Sequence, residues 1–399
     1  MRILVLDGHQ NQAVACVRSL ARQGHVVCAG ESHPWSKAGW SRSSSSTFQY
    51  ASPATDPENF LVDVLSEAQS QSGTLVLPMA EATTLLISEH RDRFTAGGAR
   101  LILPSHSDLL RAVDKAETTR LARSLGAAVP ETFSASSAED LNQLRGRMRF
   151  PLVLKPSTSH EQSSQGAIRA TGRPRYARNQ DELVSAFHAM RRHCSSVLIQ
   201  EFIEGSGTGY FALTQHGELR AEFAHRRIRD VHPTGSGSAL RESILPAPQV
   251  REISLAMLRA LHWHGVAMVE FRMRPDHVPV FLEINGRFWH SLALACYAGV
   301  DFPALLARLA EFGELGAPPA YQTGVRCRWL VGDFRHLVEV WKGPPAGYPG
   351  NFPRRLPTLL AELTPKPGTF HDNFEWRDPL PELGDWLHLL QQVRKRRAQ

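Results

Sequence analysis

Two apolar runs in the 399-residue chain, AMVEFRM (267–273) and VPVFLEIN (278–285), restrict its fold more than any other feature. Each has strand composition, and the short RPDH segment between them leaves room only for a hairpin. A tight connection centred between Asp276 and His277 sets Glu270 opposite Glu283. Alternation then puts Phe281, Glu283 and Asn285 on one face, with Leu282 and Ile284 on the other. Opposed residues on antiparallel strands have Cβ atoms about 4.5–5.5 Å apart, so the two carboxylates repel. Arg272, placed diagonally, can act as a counter-ion, or one carboxyl can stay protonated. Alternatively the two carboxylates and the Asn285 amide oxygen share a divalent cation. That is a hard-oxygen set suited to Mg²⁺, whose shell is completed by water and phosphate oxygens.

The element order around this hairpin falls into three stretches. RILVLD (2–7), a helical run from Ala13 to Gln23 stopped by Gly24, and HVVCAGE (25–31) make a strand, helix, strand opening. The pattern repeats through Asn59 to Gln69, Thr74 to Leu77 and Leu101 to Leu103, which predicts a Rossmann-like parallel α/β domain over 1–103. Its first turn, DGHQNQA, lacks the GxGxxG spacing that cradles a pyrophosphate. Ser41 to Thr47 reads as a solvated low-complexity loop.

From Pro104 the grammar changes. Ser107 and Asp108 can cap a helix carrying Leu109, Leu110 and Val113, and a second helical stretch runs from Thr119 to Leu125. Strands are expected at 150–156 and 196–203 with a helix at Asp181 to Arg192 between them, then at Gly209 to Thr214 and Leu219 to Arg227. This is an α+β domain on antiparallel sheets over 104–315. Residues 316–399, rich in Pro, Gly and Trp, form a small C-terminal extension whose role the sequence leaves open.

Composition excludes several classes. The apolar runs fall far short of the roughly 20 residues that span a bilayer, and Asp7 and Gly8 arrive too early for a secretory leader. A cytoplasmic protein with no membrane partner is the expectation. Cys16, Cys28, Cys194, Cys296 and Cys327 lack CxxC spacing, so neither a disulfide frame nor a zinc site is indicated. The net charge of +6 is spread over Arg-rich spots and a solvated tail, Arg394 to Arg397. It suits a small anionic ligand better than nucleic acid.

Two lysines extend the magnesium reading toward a nucleotide. Lys155 ends an apolar strand that would carry it inward, where an ammonium without an anion costs several kcal/mol. Lys115 lies in VDKAET, beside a helical stretch. SVLIQEFIEG offers a strand that leaves its sheet at Glu201 to Gly205, as an adenine slot requires.

Taken in order, Lys115, the LKP strand at Lys155, EFIEG, VEF at Glu270 and LEINGR at Glu283 to Arg287 resemble the ATP-grasp superfamily of carboxylate-amine ligases. The likeness covers residues 104–315, and AFAHRRIRDVHPTGSGSALRES is similar to the carbamoyl-phosphate synthase large-chain type. The resemblance implies an N-terminal Rossmann-like domain, an ATP-grasp fold with a lid at about 115–200, and ATP with Mg²⁺ or Mn²⁺. It implies phosphate contacts from Lys115 and Lys155, and adenine contacts from Glu201, Phe202 and Ile203. Thr208 stands where relatives place an acid for the ribose. Glu270, Glu283 and Asn285 would bind metal, and Arg287 would face the transferred phosphoryl group. Arg226, Arg227 and Arg241 are candidate substrate forks, Arg241 also a catalytic one, although a salt bridge from Arg241 to Glu242 or another acid explains it equally. The Ser-rich loop 157–166 would close as a lid over phosphate.

The implied activity is ADP-forming ligation: a carboxylate is phosphorylated to an acyl phosphate and coupled to an amine, with an amino acid or peptide-like substrate. A bicarbonate-phosphorylating enzyme like carbamoyl-phosphate synthase, and a non-catalytic ATP-binding module, are the alternatives. The partners are small molecules, and the resemblance admits a homodimer. His262 with His264 read as a packed or solvent-facing pair and not a metal site, Cys296 near His290 as a core thiol, and Trp289 as a wall of the site or a packing group.

Overall fold

The computed structural model describes residues 1–144, 146–156, 160–162, 168–170, 174–364 and 366–398, with backbone alone at 160–162, 168–170 and 395–398. Near its N-terminus four parallel strands pair in the order Ser46–Gln49, Val26–Glu31, Arg2–Val5, Leu75–Leu77. Leu4, Leu6, Val76 and Phe60 pack on one side, and Ile3, Val5, Val14 and Leu77 on the other. Burial on both faces is why these strands are continuous apolar runs. The expected strand at Leu101 to Leu103 does not form, since only Arg100 bridges to Leu75. Pro104 follows, which lacks an N–H, and the chain turns at once into the helix His106–Val113. That helix is capped by Ser105, which accepts from Asp108 N–H, and not by Ser107.

A second sheet, antiparallel, has the order Thr132–Ala135, Val197–Glu201, Leu152–Pro156, Arg175–Ala177. The helix Gln180–Arg191 covers it through Leu183, Phe187 and Met190.

The central sheet has seven strands in the order Pro279–Asn285, Gly265–Met273, Ser206–Gln215, Glu218–Arg229, Leu240–Ile244, Arg326–Arg328, Thr369–His371. One face buries Tyr210, Phe271, Phe281 and Ile284 with Trp263, beneath the helix Pro248–Ala260. The other buries Phe211, Phe223 and Met268 against Trp289, the helix Phe302–Phe312 and the N-terminal helix Asn11–Arg22. The hairpin register matches expectation at its functional end, with Glu270 opposite Glu283. Closer to the turn it differs: Phe271 pairs with Phe281, and a bulge leaves Leu282 extra. The bulge resets the alternation, so Phe281 joins Ile284 in the core and does not share a face with Glu283.

The last two central strands come from the stretch expected to be an appended extension. Its remaining segments are bound in by a buried polar network. Arg18 donates to Asp378 at 2.9 Å, Lys37 to Asp385 at 2.9 Å and to Asn11 at 2.5 Å, and Asn11 to Asp372 at 3.2 Å. Ser41 also donates to Asp378, so the stretch expected to be only solvated is anchored at one end and supplies an edge strand at the other. No single helix among the described residues is long and apolar enough to cross a membrane. The cysteines are free thiols.

Candidate active site

Glu270 and Glu283 stand at the end of the central sheet nearest Lys155 of the four-stranded antiparallel sheet, and each has a cation. Lys115 begins the helix Lys115–Ser124, held there by Asp114, whose carboxylate accepts from the N–H groups of Ala116 and Glu117. That cap aims the Lys115 ammonium at Glu283, 3.1 Å away. Burial works to raise the Glu283 carboxyl, but Lys115 and the 3.2 Å hydrogen bond from Asn285 hold it below the usual carboxylate range. Glu283 in turn raises Lys115. Across the ladder, burial raises Glu270 despite Arg227, which donates to it at 2.7 Å and also meets Asp230 at 3.6 Å.

Arg227 reaches Glu270 on a diagonal, its side chain passing over Gly207, which pairs with Arg272, while Gly209 is the residue opposite Glu270. A Cβ at Gly207 would come within 2.6 Å of Arg227 Cδ, so only glycine leaves that path open. The counter-ions of the acid pair are therefore Lys115 and Arg227. Arg272, the counter-ion suggested by sequence spacing, donates instead to the carbonyls of Gly205 and Gly235 at 3.2 and 2.8 Å.

Arg287 lies immediately beyond Asn285, donating to its amide oxygen at 3.4 Å and to the Phe288 carbonyl at 2.8 Å. Gly286 allows that turn: a Cβ there would meet the Trp263 ring at 2.7 Å and Leu109 at 2.8 Å. Lys155 enters from the four-stranded antiparallel sheet and donates to Gln200 Oε1 at 2.9 Å, while the Gln200 amide donates to Thr132 at 3.0 Å. Burial, then Lys115, lowers the Lys155 ammonium to about 8. Gln200 had not been singled out. It lies two residues from Leu198, the partner of Lys155 in the ladder, and only the register exposes that relation.

The strand carrying Gln200 ends at Glu201, whose side chain accepts from Glu131 N–H at 3.2 Å. Phe202 follows with its ring among Tyr176, Tyr348 and Val153, an aromatic wall completed by the C-terminal stretch. Ile203, half-buried, continues this edge.

Three expected site residues lie elsewhere. Thr208 pairs with Phe271 and is buried on the core side of the sheet, because only Gly207 and Gly209 alternate toward Glu270. Arg226 points to that opposite side too, where it binds Glu242 at 2.5 Å. Arg241 shares the face of Arg227 but has no exposure, and its guanidinium is bonded to Asp372. A salt bridge to an acid outside its own strand thus accounts for it. The loop 157–166 lies largely outside the described residues, as do the side chains of the tail from 395.

Around the facing acids, Lys115, Lys155, Arg227, Arg272 and Arg287 outnumber Glu270, Glu283 and Asp230. The excess suits a polyphosphate. Among the described residues no three His, Cys, Asp or Glu groups could hold a metal together. Two carboxylates and an amide oxygen fit a cation that arrives with phosphate oxygens of its own.

A family model described as "ATP-grasp in the biosynthetic pathway with Ter operon" matches residues 193–332. The chain is 27% identical over 225 residues to a D-alanine--D-alanine ligase of Acidovorax ebreus, covering 52% of this chain and 64% of that one. It is 26% identical over 223 residues to one from Nitrosospira multiformis, covering 51% and 68%. The match therefore spans less than two thirds of the first relative. Among solved structures, a biotin carboxylase complex from Campylobacter jejuni superposes with TM-score 0.64 at 14% identity, over 82% of this chain and 74% of that one. An L-amino acid ligase from Bacillus licheniformis gives 0.58 at 15% identity, over 77% and 73%. The chain has the ATP-grasp fold.

Proposed function

We propose that this ATP-grasp chain is an ADP-forming ligase that phosphorylates a carboxylate and couples it to an amine, with an amino acid or peptide-like compound as substrate. One observation carries the reading: Glu270 and Glu283 face each other across the hairpin, beside Asn285 and beneath Lys115 and Lys155. The ligase relatives in sequence support the reaction class.

In this reading Glu270, Glu283 and Asn285 would hold magnesium, which would supply charge neutralisation to phosphate oxygens. Lys115 and Lys155 bind phosphate oxygens, Lys115 by exchanging its contact with Glu283 for one with the nucleotide. Phe202 and Ile203 seat the adenine against the Tyr176 and Tyr348 wall. Arg287 stabilises the negative charge on the phosphoryl oxygens as that group passes from ATP to a carboxylate oxygen with loss of ADP, and on the phosphate that the amine then displaces. Arg227 orients Glu270 and opposes the rise that burial imposes on its carboxyl. None of these groups acts as a nucleophile, which suits a reaction governed by positioning and charge.

The test is ADP and phosphate release from MgATP on adding pairs of amino acids, with the product identified by mass. Turnover that depends on both partners and is lost in Glu283→Gln is the expected result. ATP binding without turnover for any pair, together with unaltered cellular function of Glu283→Gln, would refute the ligase assignment.

A further inference from the structure

Beyond the nucleotide corner, orphaned polar atoms concentrate where three segments meet: the loop after the first strand, the loop at residues 33–37, and the C-terminal helix Leu380–Ala398. The His9 ring stacks on His388 at 4.2 Å between centroids, Trp35 meets it edge-on at 4.7 Å, and His33 lies 5.8 Å away. Both His9 ring nitrogens and His388 Nδ1 are buried without a hydrogen-bond partner.

The protons in this corner can be assigned. Arg335 Nη2 donates to Gln392 Oε1 at 2.7 Å, which orients the amide so that its nitrogen faces His388 Nε2 at 2.7 Å. An amide nitrogen donates, so His388 Nε2 accepts and the ring proton resides on Nδ1. Burial keeps both rings neutral, His9 lowered to about 3 and His388 to about 4. His388 Nδ1–H is therefore a buried donor with no acceptor, an arrangement that disfavours the folded state.

His290 shares charged neighbours with this corner, Lys37 and Arg335, and with the phosphoryl side, Arg287. His290 Nδ1 is likewise buried and orphaned, its ring lies 4.4 Å from Trp329, and it feels the charges of Arg241, Lys37, Arg287 and Arg335. Lys37 and Arg241 already have acids, Asp385 and Asp372. What is missing is a hydrogen-bond acceptor for imidazole.

We propose that this corner binds the end of the carboxylate substrate remote from the reacting group, and that this end carries a second acceptor, a carboxylate or an amide carbonyl. His388 Nδ1–H and the His9 ring would receive it, while the reacting carboxylate lies toward His290 and Arg287. The inference rests on the ligase reading and adds a substrate class to it: amino acids and short acids with a polar far end. It also gives the C-terminal stretch a part in specificity.

The probes are the proteinogenic amino acids, succinate and glutarate, screened with MgADP by thermal shift and then calorimetry, so that detection does not depend on turnover. Ligands with a second acceptor should bind. His388→Leu and His9→Leu should each weaken that binding about tenfold or more, the loss expected for one buried hydrogen bond to a charged group. His388→Asn, whose side-chain N–H sits where Nδ1–H was, should restore most of it. MgADP affinity should stay unchanged in all three, and His264→Leu, in the distant His216 stack, should bind as wild type. Binding of apolar amino acids only, no binding at all, or equal affinity in His388→Leu and His9→Leu would overturn the proposal. A ligand that binds as described without ADP release would instead count against the ligase reading alone.

Discussion

Lys155 is expected to destabilise the ligand-free protein, and replacing it with methionine tests this. The ammonium is buried against the neutral Gln200 amide and near Lys115, with its pKa lowered from 10.5 to about 8. A shift of that size corresponds to a penalty of about 3 kcal/mol at neutral pH, each unit being worth about 1.4 kcal/mol. Lys155→Met removes the charge but leaves Gln200 Oε1 without its donor, which costs about 1 kcal/mol. The variant should therefore be more stable by about 1–2 kcal/mol in urea unfolding at pH 7 without nucleotide. The sign of the pH dependence follows. Because the folded-state value lies below the unfolded one, the unfolded chain holds the extra proton between about 8 and 10.5. Wild-type stability rises across that window, and the advantage of methionine should shrink as it does. MgATP should reverse the order, stabilising wild type by about 2.7 kcal/mol at a hundredfold excess over Kd and the variant much less. A variant less stable than wild type at pH 7, or one with an equal MgATP response, would refute the reasoning.

Other perturbations separate site from scaffold. Glu270→Gln and Glu283→Gln should each lower kcat by about 10²-fold or more while the folded structure persists, measured by ADP release across a magnesium titration. Arg241→Ala leaves Asp372 as an unpaired buried charge and should cost about 3–5 kcal/mol in unfolding, with MgATP affinity at permissive temperature unchanged. Gly286→Val drives a branched side chain into Trp263 and Leu109; loss of about 1–3 kcal/mol with a displaced Arg287 should appear as lower kcat at nearly unchanged ATP affinity.

The legible parts of the site shared a common property. Glu270, Glu283 and Asn285 could be placed because a short hairpin converts sequence separation directly into register. Lys155 could be placed because a charged residue at the end of an apolar strand has few explanations. Arg241 could not be resolved, since its partner Asp372 lies 131 residues away and nothing local distinguishes that acid from any other. Thr208 was misplaced for a smaller reason: the glycines on either side of it hold the site-facing positions, and a one-residue phase error moves a side chain through the sheet.

Sequence alone thus determined the parallel N-terminal unit and the antiparallel hairpin with its facing acids, both set by local periodicity and short connections. Tertiary structure decided which cations pair with those acids, the bulge that turns Phe281 into the core, and the Gln200 contact. It also decided the fate of residues 316–399, whose strands complete the central sheet and whose polar residues lock it to the N-terminal domain. Apart from the bulge, those outcomes depend on contacts between segments tens to hundreds of residues apart, where burial and charge pairing choose among partners that local pattern leaves equivalent.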